Sequence, residues 1–130
     1  MSKSPDTMDP DDRHKLAQRL TRLTGTPTAL CLPRYQAASQ EMERSPTFRT
    51  AERRFAALSD RKRLLAVFLL HRRRELCACE IQAATGLTHS GVSYHMALLV
   101  RSGLVESHRR GKWVHYRLSK EGEKCLREWP

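Results

Sequence analysis

The sequence lacks several features that would each assign it to a class of protein. None of its apolar runs approaches the ~18 to 20 residues needed to cross a bilayer. The N-terminal stretch MSKSPDTMDPDD carries acidic residues where a signal peptide needs an apolar segment. There is also no carboxylate cluster, no glycine-rich phosphate loop and no nucleophile beside a base. We therefore expect a soluble, cytoplasmic protein that has no membrane partner and is not an enzyme.

Cysteine is scarce, with four residues in 130. In a reducing compartment Cys31, Cys77, Cys79 and Cys125 are expected as thiols rather than as structural disulfides. Two of them, Cys77 and Cys79, stand one residue apart in the segment ELCACEI. This pair predicts a metal-binding site or a redox sensor, and the alternative is that either thiol is a small buried side chain.

The sequence has fewer acidic than basic residues, with 14 Asp or Glu and 24 Lys or Arg. Residues 45–130 hold 17 of these cations against 8 acids and so carry 9 of the 10 net positive charges. A chain of this length corresponds to one domain with an extension. We predict an N-terminal extension over residues 1–44 and a basic domain over residues 45–130. Nucleic acid is the natural partner of such a domain, and a solvated basic surface is the alternative.

Helical signals in the extension begin at Asp9, an N-cap residue that Pro10 and two further acids follow. Leucines at helical spacing continue until Gly25. The stretch 25–33 then predicts an irregular linker that carries Cys31, with a short second helix over about residues 34–43.

Apolar residues at helical spacing predict two core helices at the start of the basic domain. Phe48, Phe55 and Leu58 mark one face of the first helix. Ser59-Asp60 opens the second helix, which runs through Phe68.

A short helix, a glycine turn and a longer helix follow. ELCACEIQAATG predicts a helix that ends at Gly86, and THSGVSYHMALLVRSG predicts a helix that is capped by Thr88 and closed by Gly103. The apolar residues expected to face inward are Ile81, Ala84, Leu87, Val92, Met96 and Leu99. Small hydrogen-bonding groups remain on the outer side of the second helix, as in a helix that reads base edges, although an ordinary helical hairpin is the alternative.

The segment LVESHRRGKWVHYRLS alternates at period two on both sides of Arg109-Arg110-Gly111-Lys112. This pattern predicts a β-hairpin with a basic tip, which can reach phosphates or the adjacent minor groove. The predicted fold is therefore mostly α with a small β-hairpin, a winged helix-turn-helix. The predicted DNA-binding residues are Thr88, His89, Ser90, Ser93, Tyr94, His95, Arg109, Arg110 and Lys112.

Residues 48–118 resemble the ArsR/SmtB family of metal-responsive transcriptional repressors. The resemblance rests on FAALSDRKRLLAVFLL, where Arg61 replaces the family's usual proline, and on ELCACEI, LTHSGVSYHMALLVRSGLV and RRGKWVHYRL. Ser93 and His95 match the family's recognition-helix pattern. The resemblance implies a homodimer that joins through its terminal helices and binds double-stranded operator DNA. The family's second metal site, rich in histidine and aspartate, has no counterpart in SKEGEKCLREWP.

The resemblance also implies that Cys77 and Cys79 bind a thiophilic metal or metalloid whose binding releases the DNA. Thiolates are soft ligands, so As(III) or Sb(III) is the favoured effector, with Cd(II) or Pb(II) as alternatives. As(III) and Sb(III) favour three thiolates. We expect Cys31 rather than Cys125 to be the third ligand, because some family members use a cysteine from an N-terminal extension. The competing function is a repressor of the same fold that senses thiol oxidation or reactive sulfur.

Helix geometry limits how this cysteine pair can hold one ion. On a regular helix, residues two apart point roughly 200° away from each other. We therefore expect Cys77 to lie partly outside the helical turns and ion binding to distort this end of the helix. Only a few residues join that helix to the DNA-reading one.

Overall fold

The computed structural model describes residues 7–128, with the side chains of Thr28 and Ala29 left aside. The chain divides into two compact units, Met1–Phe48 and Arg49–Pro130. This boundary lies inside a helix, four residues after the predicted end of the extension at residue 44. No helix in the described range is both long and apolar enough to cross a membrane.

The first unit contains helix α1, Pro10–Thr24, and helix α2, Thr28–Arg44. The Asp9 carboxylate caps α1 by accepting a hydrogen bond from the backbone N–H of Asp12 at 2.8 Å. Gly25 ends the helix in the left-handed conformation. Both ends of α1 therefore agree with the prediction from sequence.

Helix α2 corrects the predicted linker, because Cys31 and Pro33 both lie inside it. Beyond the first turn of a helix, a proline leaves one N–H out of the hydrogen-bond ladder and its ring crowds the carbonyl four residues earlier, which together cost about 3 kcal/mol. Cys31 is only 4% exposed, and its Sγ atom lies 3.7 Å from the hydroxyl of Thr24 in α1. The packing of α2 against α1, with Cys31 buried, favours the helix despite this cost, and the helix starts at Thr28 rather than near residue 34.

A helical scaffold and a small sheet make up the rest of the chain. The remaining elements are α3 Pro46–Leu58, α4 Arg61–Arg73, β1 Glu75–Cys77, α5 Ala78–Thr85, α6 His89–Arg101, β2 Val105–Arg110, β3 Trp113–Leu118 and α7 Lys120–Arg127. The three strands form one antiparallel sheet in the order β1-β3-β2. The predicted helix-turn-helix is α5 and α6, and the predicted hairpin is β2 and β3.

Strand β1 was predicted as the beginning of a helix, and that prediction was wrong. Arg74 has a positive φ of 69°, which ends α4 and redirects the chain. Leu76 then alternates with its neighbours in burial and pairs with Tyr116 of β3 in the core. Two buried side chains on one face of the ladder favour the extended backbone over another helical turn.

The core of the second unit lies between α4, α5, α6 and the inner face of the sheet. Its largest fully buried side chains are Leu70, Ile81, Val92, Met96, Leu99 and Leu104. Ala84 was expected to face inward but is exposed, and Thr85 is buried in its place. The Thr85 hydroxyl donates to the Ile81 carbonyl at 2.6 Å. The inward face of this short helix is therefore formed by Ile81 and Thr85, which are four residues apart.

The apolar faces of α3 and α4 are less buried than expected. Leu58 is in the core, but Phe55 is 69% exposed and Phe68 is 48% exposed. Phe48 is also exposed. The prediction that both helices are core elements therefore holds only for their inner sides.

Helix α7 packs closely against the residue that precedes β2. The β2–β3 hairpin is the wing of the winged helix-turn-helix. A Cβ atom at Gly122 would lie 2.2 Å from the backbone oxygen of Leu104, so a larger residue cannot fit without displacing the backbone. Ser119 caps the helix by accepting a hydrogen bond from the N–H of Gly122. This packing leaves Cys125 half-buried beside the core.

Candidate DNA-binding surface and thiol site

Helix α6 presents a polar outer face at its N-terminal end. Thr88 caps the helix, with its hydroxyl accepting a hydrogen bond from the N–H of Gly91 at 3.0 Å. The exposed residues of the predicted DNA-binding set on this helix and its cap are Thr88, His89, Ser90, Ser93 and Tyr94. These side chains are open to solvent while Val92, Met96 and Leu99 are buried in the core.

His95 differs from the rest of this set, because its side chain is only 17% exposed. Its Nδ1 atom lies 2.9 Å from Nη1 of Arg63, whose Nε donates to the carbonyl of Ala57 at 2.7 Å. An arginine can only donate, so Nδ1 must accept and the imidazole proton is inferred on Nε2. The described contacts of His95 thus tie α6 to α4 and orient the recognition helix.

Asp60 supports the same junction from the start of α4. Its carboxylate accepts hydrogen bonds from the backbone N–H groups of Lys62 and Arg63 at 2.9 and 3.0 Å. The hydrogen bond from the Arg63 backbone is the main cause that lowers the pKa of Asp60, and the charge of the Arg63 side chain acts in the same direction. Asp60 therefore stays ionised at neutral pH.

The wing ends in three exposed cations, Arg109, Arg110 and Lys112, beside a left-handed Gly111. The Lys112 Nζ atom lies 5.3 Å from the centre of the Trp113 ring. Arg110 is 64% exposed and forms an ion pair with Glu75 of β1. All three cations are thus accessible to a polyanion, and one of them has an internal partner.

Cys77 and Cys79 lie where β1 passes into α5. Cys77 is the last residue of the strand and the N-cap of the helix, with extended backbone angles of −79° and 162°. Cys79 is exposed in the first helical turn. Cys77 lies outside the helical turns, as expected, so helix geometry does not force the two thiols onto opposite faces.

Glu80 holds this junction in place. Its carboxylate accepts a hydrogen bond from the backbone N–H of Cys77 at 3.0 Å, as in a capping box. That hydrogen bond and a second one from the Cys77 thiol lower the pKa of Glu80, and the charges of His115 and Arg73 add to the effect. An ion bound to the Cys77 sulfur would therefore lie beside the helix cap that Glu80 completes.

Thiophilic ions fit the two thiols chemically, because both are free and neither is buried. A third donor is not gathered beside them. Within residues 7–128, no group of three or more His, Cys, Asp or Glu side chains is arranged to hold a metal ion. Cys31 is buried in α2, and Cys125 is half-buried on α7. The predicted third ligand therefore stays a prediction.

Sequence reasoning missed a row of side chains on the outer face of the sheet. Cys77 pairs across the ladder with His115, which pairs in turn with His108. The two imidazole rings stack with their centres 5.6 Å apart. The predicted hairpin brings His108 and His115 together. The pairing of β1 with β3, which no local sequence signal predicted, adds Cys77 to the row.

Comparison with known proteins supports the winged helix-turn-helix. Residues 60–107 match the family model described as "Bacterial regulatory protein, arsR family". An arsenical resistance operon repressor of Bacillus subtilis is 33% identical over 78 residues, which are 60% of this chain and 74% of that one. The chain belongs to the ArsR family. Relatives of this ArsR-family chain are transcriptional regulators rather than enzymes.

A second relative, the arsenical resistance operon repressor of Escherichia coli, is 46% identical over 65 residues. This match covers 50% of the present chain and 56% of the repressor, so it spans little more than half of that relative. Among solved structures, a homodimeric winged helix-turn-helix DNA-binding domain from Mycobacterium bovis superposes with a TM-score of 0.59 and 28% identity. That likeness covers 65% of this chain and 77% of the Mycobacterium chain.

Replacing Asp60 by Ala should destabilise the fold by about 1 kcal/mol at neutral pH, because α4 loses its N-cap. Since the folded-state pKa of Asp60 is lowered, its contribution is present above the unfolded-state pKa and is lost as the pH falls through the folded-state value. Urea unfolding from neutral to acid pH should therefore show the difference between wild type and Asp60→Ala shrinking.

Asp60→Asn is the matched control, because its side-chain oxygen can still cap the helix without a charge. Its stability should lie between those of the other two proteins at neutral pH. An Asp60→Ala deficit that does not change with pH would contradict the assigned role of the ionised carboxylate.

Proposed function

We propose that this chain is a homodimeric transcriptional repressor that binds operator DNA and is released by a thiophilic metalloid at Cys77 and Cys79. As(III) and Sb(III) are the favoured effectors. The observation that carries the proposal is the position of two accessible thiols at the β1–α5 junction, one of them outside the helix. The turn Gly86–Thr88 alone separates α5 from the recognition helix α6.

DNA binding is supported by two exposed polar and basic surfaces. The outer face of α6 offers hydroxyl, imidazole and phenol groups to base edges. Arg109, Arg110 and Lys112 at the wing tip can contact phosphates. The operator of a twofold dimer is an imperfect palindrome with half-sites about one or two helical turns apart.

Dimer formation is supported by the exposed apolar side chains of α3 and α4. Phe55, Leu65 and Phe68 are 69%, 40% and 48% exposed. Leu65 and Phe68 line the same surface pocket of α4, and exposed apolar patches are typical of protein interfaces. The homodimeric Mycobacterium structure has the same fold, which supports a second copy of this chain as the partner.

Metalloid sensing is supported by the donor chemistry and by two relatives. Both the Escherichia coli and the Bacillus subtilis relatives are arsenical resistance operon repressors. Soft thiolates suit As(III) and Sb(III), and they also suit Cd(II) and Pb(II). We propose Cys31 of the N-terminal unit as the third ligand for a three-thiolate site.

Replacing Lys112 by Ala should weaken binding to all DNA sequences alike. The slope of log Kd against log salt should fall by about 0.9 if one phosphate contact is lost. Lys15→Ala, which removes the same charge from α1, is the control and should leave the slope unchanged. Fluorescence anisotropy over a salt series measures both, and equal slopes for Lys112→Ala and wild type would mean that this side chain does not contact phosphate.

Cys77→Ser and Cys79→Ser should keep operator binding but lose release by arsenite. Serine is a favoured N-cap residue, so Cys77→Ser preserves the capping box with Glu80 and the fold. Anisotropy of labelled operator DNA, titrated with arsenite in the presence of excess reductant, measures the release.

Two outcomes of that experiment would contradict the proposal. Loss of operator binding by the arsenite-free serine variants would make the cysteines structural. Release of the wild-type protein by oxidant but not by arsenite would make it a redox sensor of the same fold.

Cys31→Ser should lower the affinity of the reduced protein for arsenite by at least about tenfold, or about 1.4 kcal/mol. Cys125→Ser is the matched control and should leave the affinity unchanged. Thiolate-to-arsenic absorption in the ultraviolet measures the binding. A loss confined to Cys125→Ser would reverse the assignment, and no loss in either variant would leave a two-thiolate site completed by an exogenous ligand.

A further inference from the structure

From the strand that ends at Cys77, Glu75 contacts the imidazole of His108 and the guanidinium of Arg110. Its Oε1 atom lies 2.9 Å from Nε2 of His108, and its Oε2 atom lies 3.3 Å from Nη2 of Arg110. The Glu75 side chain is 28% exposed, whereas that of Arg110 is 64% exposed. A partly buried carboxylate therefore fixes one side of the basic hairpin tip.

The register of the sheet places these groups and the Cys77 thiol on one surface. Glu75 and Cys77 flank Leu76, which is buried on the core side, so both point to the outer side. Cys77 is opposite His115, and His115 is opposite His108. The Cys77 thiol, the Glu75 carboxylate, His108 and Arg110 thus share the outer face of a three-stranded sheet.

The Glu75 carboxylate also orients the His108 ring. The Nδ1 atom of His108 is buried and has no hydrogen-bond partner among the described residues. The His108 ring contacts the Glu75 carboxylate through Nε2 and stacks on the ring of His115. Removing the carboxylate would therefore loosen both His108 and Arg110.

Arg110 has two competing anionic partners, because a guanidinium pairs with carboxylate and phosphate through the same fork of donors. While Arg110 is paired with Glu75, its contribution to DNA affinity is reduced, because the ion pair must weaken before Arg110 can contact a phosphate. An exposed ion pair of this kind is worth a few tenths to about 1 kcal/mol, which is about a two- to fivefold change in affinity.

We propose that Glu75 is a positioning residue of the wing that competes with DNA phosphate for Arg110 and ties Arg110 to the strand carrying Cys77. The competition between Glu75 and phosphate for Arg110 takes place in the protein without bound metalloid. It is inferred from the contacts of Glu75 with His108 and Arg110. The link between the thiol and the wing rests on the proposed function. Through Glu75, ion binding at Cys77 would change how Arg110 is held.

Glu75→Gln in the full chain should raise the affinity for duplex DNA about two- to fivefold at low salt without arsenite. The slope of log Kd against log salt should steepen by up to about 0.9, because Arg110 gains a phosphate contact. Glu106→Gln is the matched control. It removes the same charge on the same face of the sheet, from a carboxylate that pairs with Arg117 at 3.0 Å.

A double-mutant cycle with Arg110→Ala separates competition from a general change in charge. In the Arg110→Ala background, Glu75→Gln should have no larger effect than Glu106→Gln. Thermal unfolding of each variant checks that the wing remains folded. Equal affinities and salt slopes for Glu75→Gln and Glu106→Gln, or a Glu75→Gln effect that persists without Arg110, would overturn the proposed competition.

Arsenite titration of the same variants tests the tie to the thiols. The ratio of operator affinities without and with arsenite should be about two- to fivefold smaller in Glu75→Gln than in Glu106→Gln. Equal ratios would overturn the tie. If arsenite fails to release the wild-type protein, the sensor function fails, and the arsenite-free measurements still decide whether Glu75 competes for Arg110.

Discussion

The antiparallel pairing of β1 with β3 is the contact on which the second unit depends. It is only three residues long, from Glu75 opposite Arg117 to Cys77 opposite His115. A two-stranded hairpin alone is marginally stable in water, and a third strand with a buried face makes it independent. Leu76 pairs with Tyr116 and extends the buried face that Val105 and Leu118 form on the hairpin. The wing, the thiol junction and the start of the helix-turn-helix are therefore built on one short ladder.

This ladder places the thiols between two DNA-facing elements. From Cys77 the chain enters α5, which joins α6 through a three-residue turn. Across the sheet, the same strand reaches the wing through β3 and through the Glu75 carboxylate. In the proposed function, an ion at Cys77 and Cys79 binds beside the hydrogen bond that the Glu80 carboxylate accepts from the Cys77 backbone N–H. A small change at this junction then acts on both the recognition helix and the wing tip.

Most of the second unit could be predicted from sequence because its signals are local. Asp60, Thr88 and Gly86 mark helix ends by capping chemistry, and the alternation around Gly111 marks a hairpin. Strand β1 has no such signal, because three residues are too few to show a period and their pairing partner lies about 40 residues away. His95 matched a family pattern, but its contact with Arg63 depends on how α4 and α6 pack. Helix α2 was missed because a proline usually marks a helix boundary, whereas α2 continues through Pro33 and packs against α1.

In the proposed function, metalloid binding acts on the β1–α5 junction and from there on the DNA-facing elements. Amide hydrogen exchange of the reduced protein, with and without one equivalent of arsenite, tests it most directly. We expect exchange to change at β1 and the first turn of α5, and with them at β3 and the start of α6. An unchanged junction despite bound arsenite, or changes confined to elements outside this ladder and the helix-turn-helix, would contradict the account.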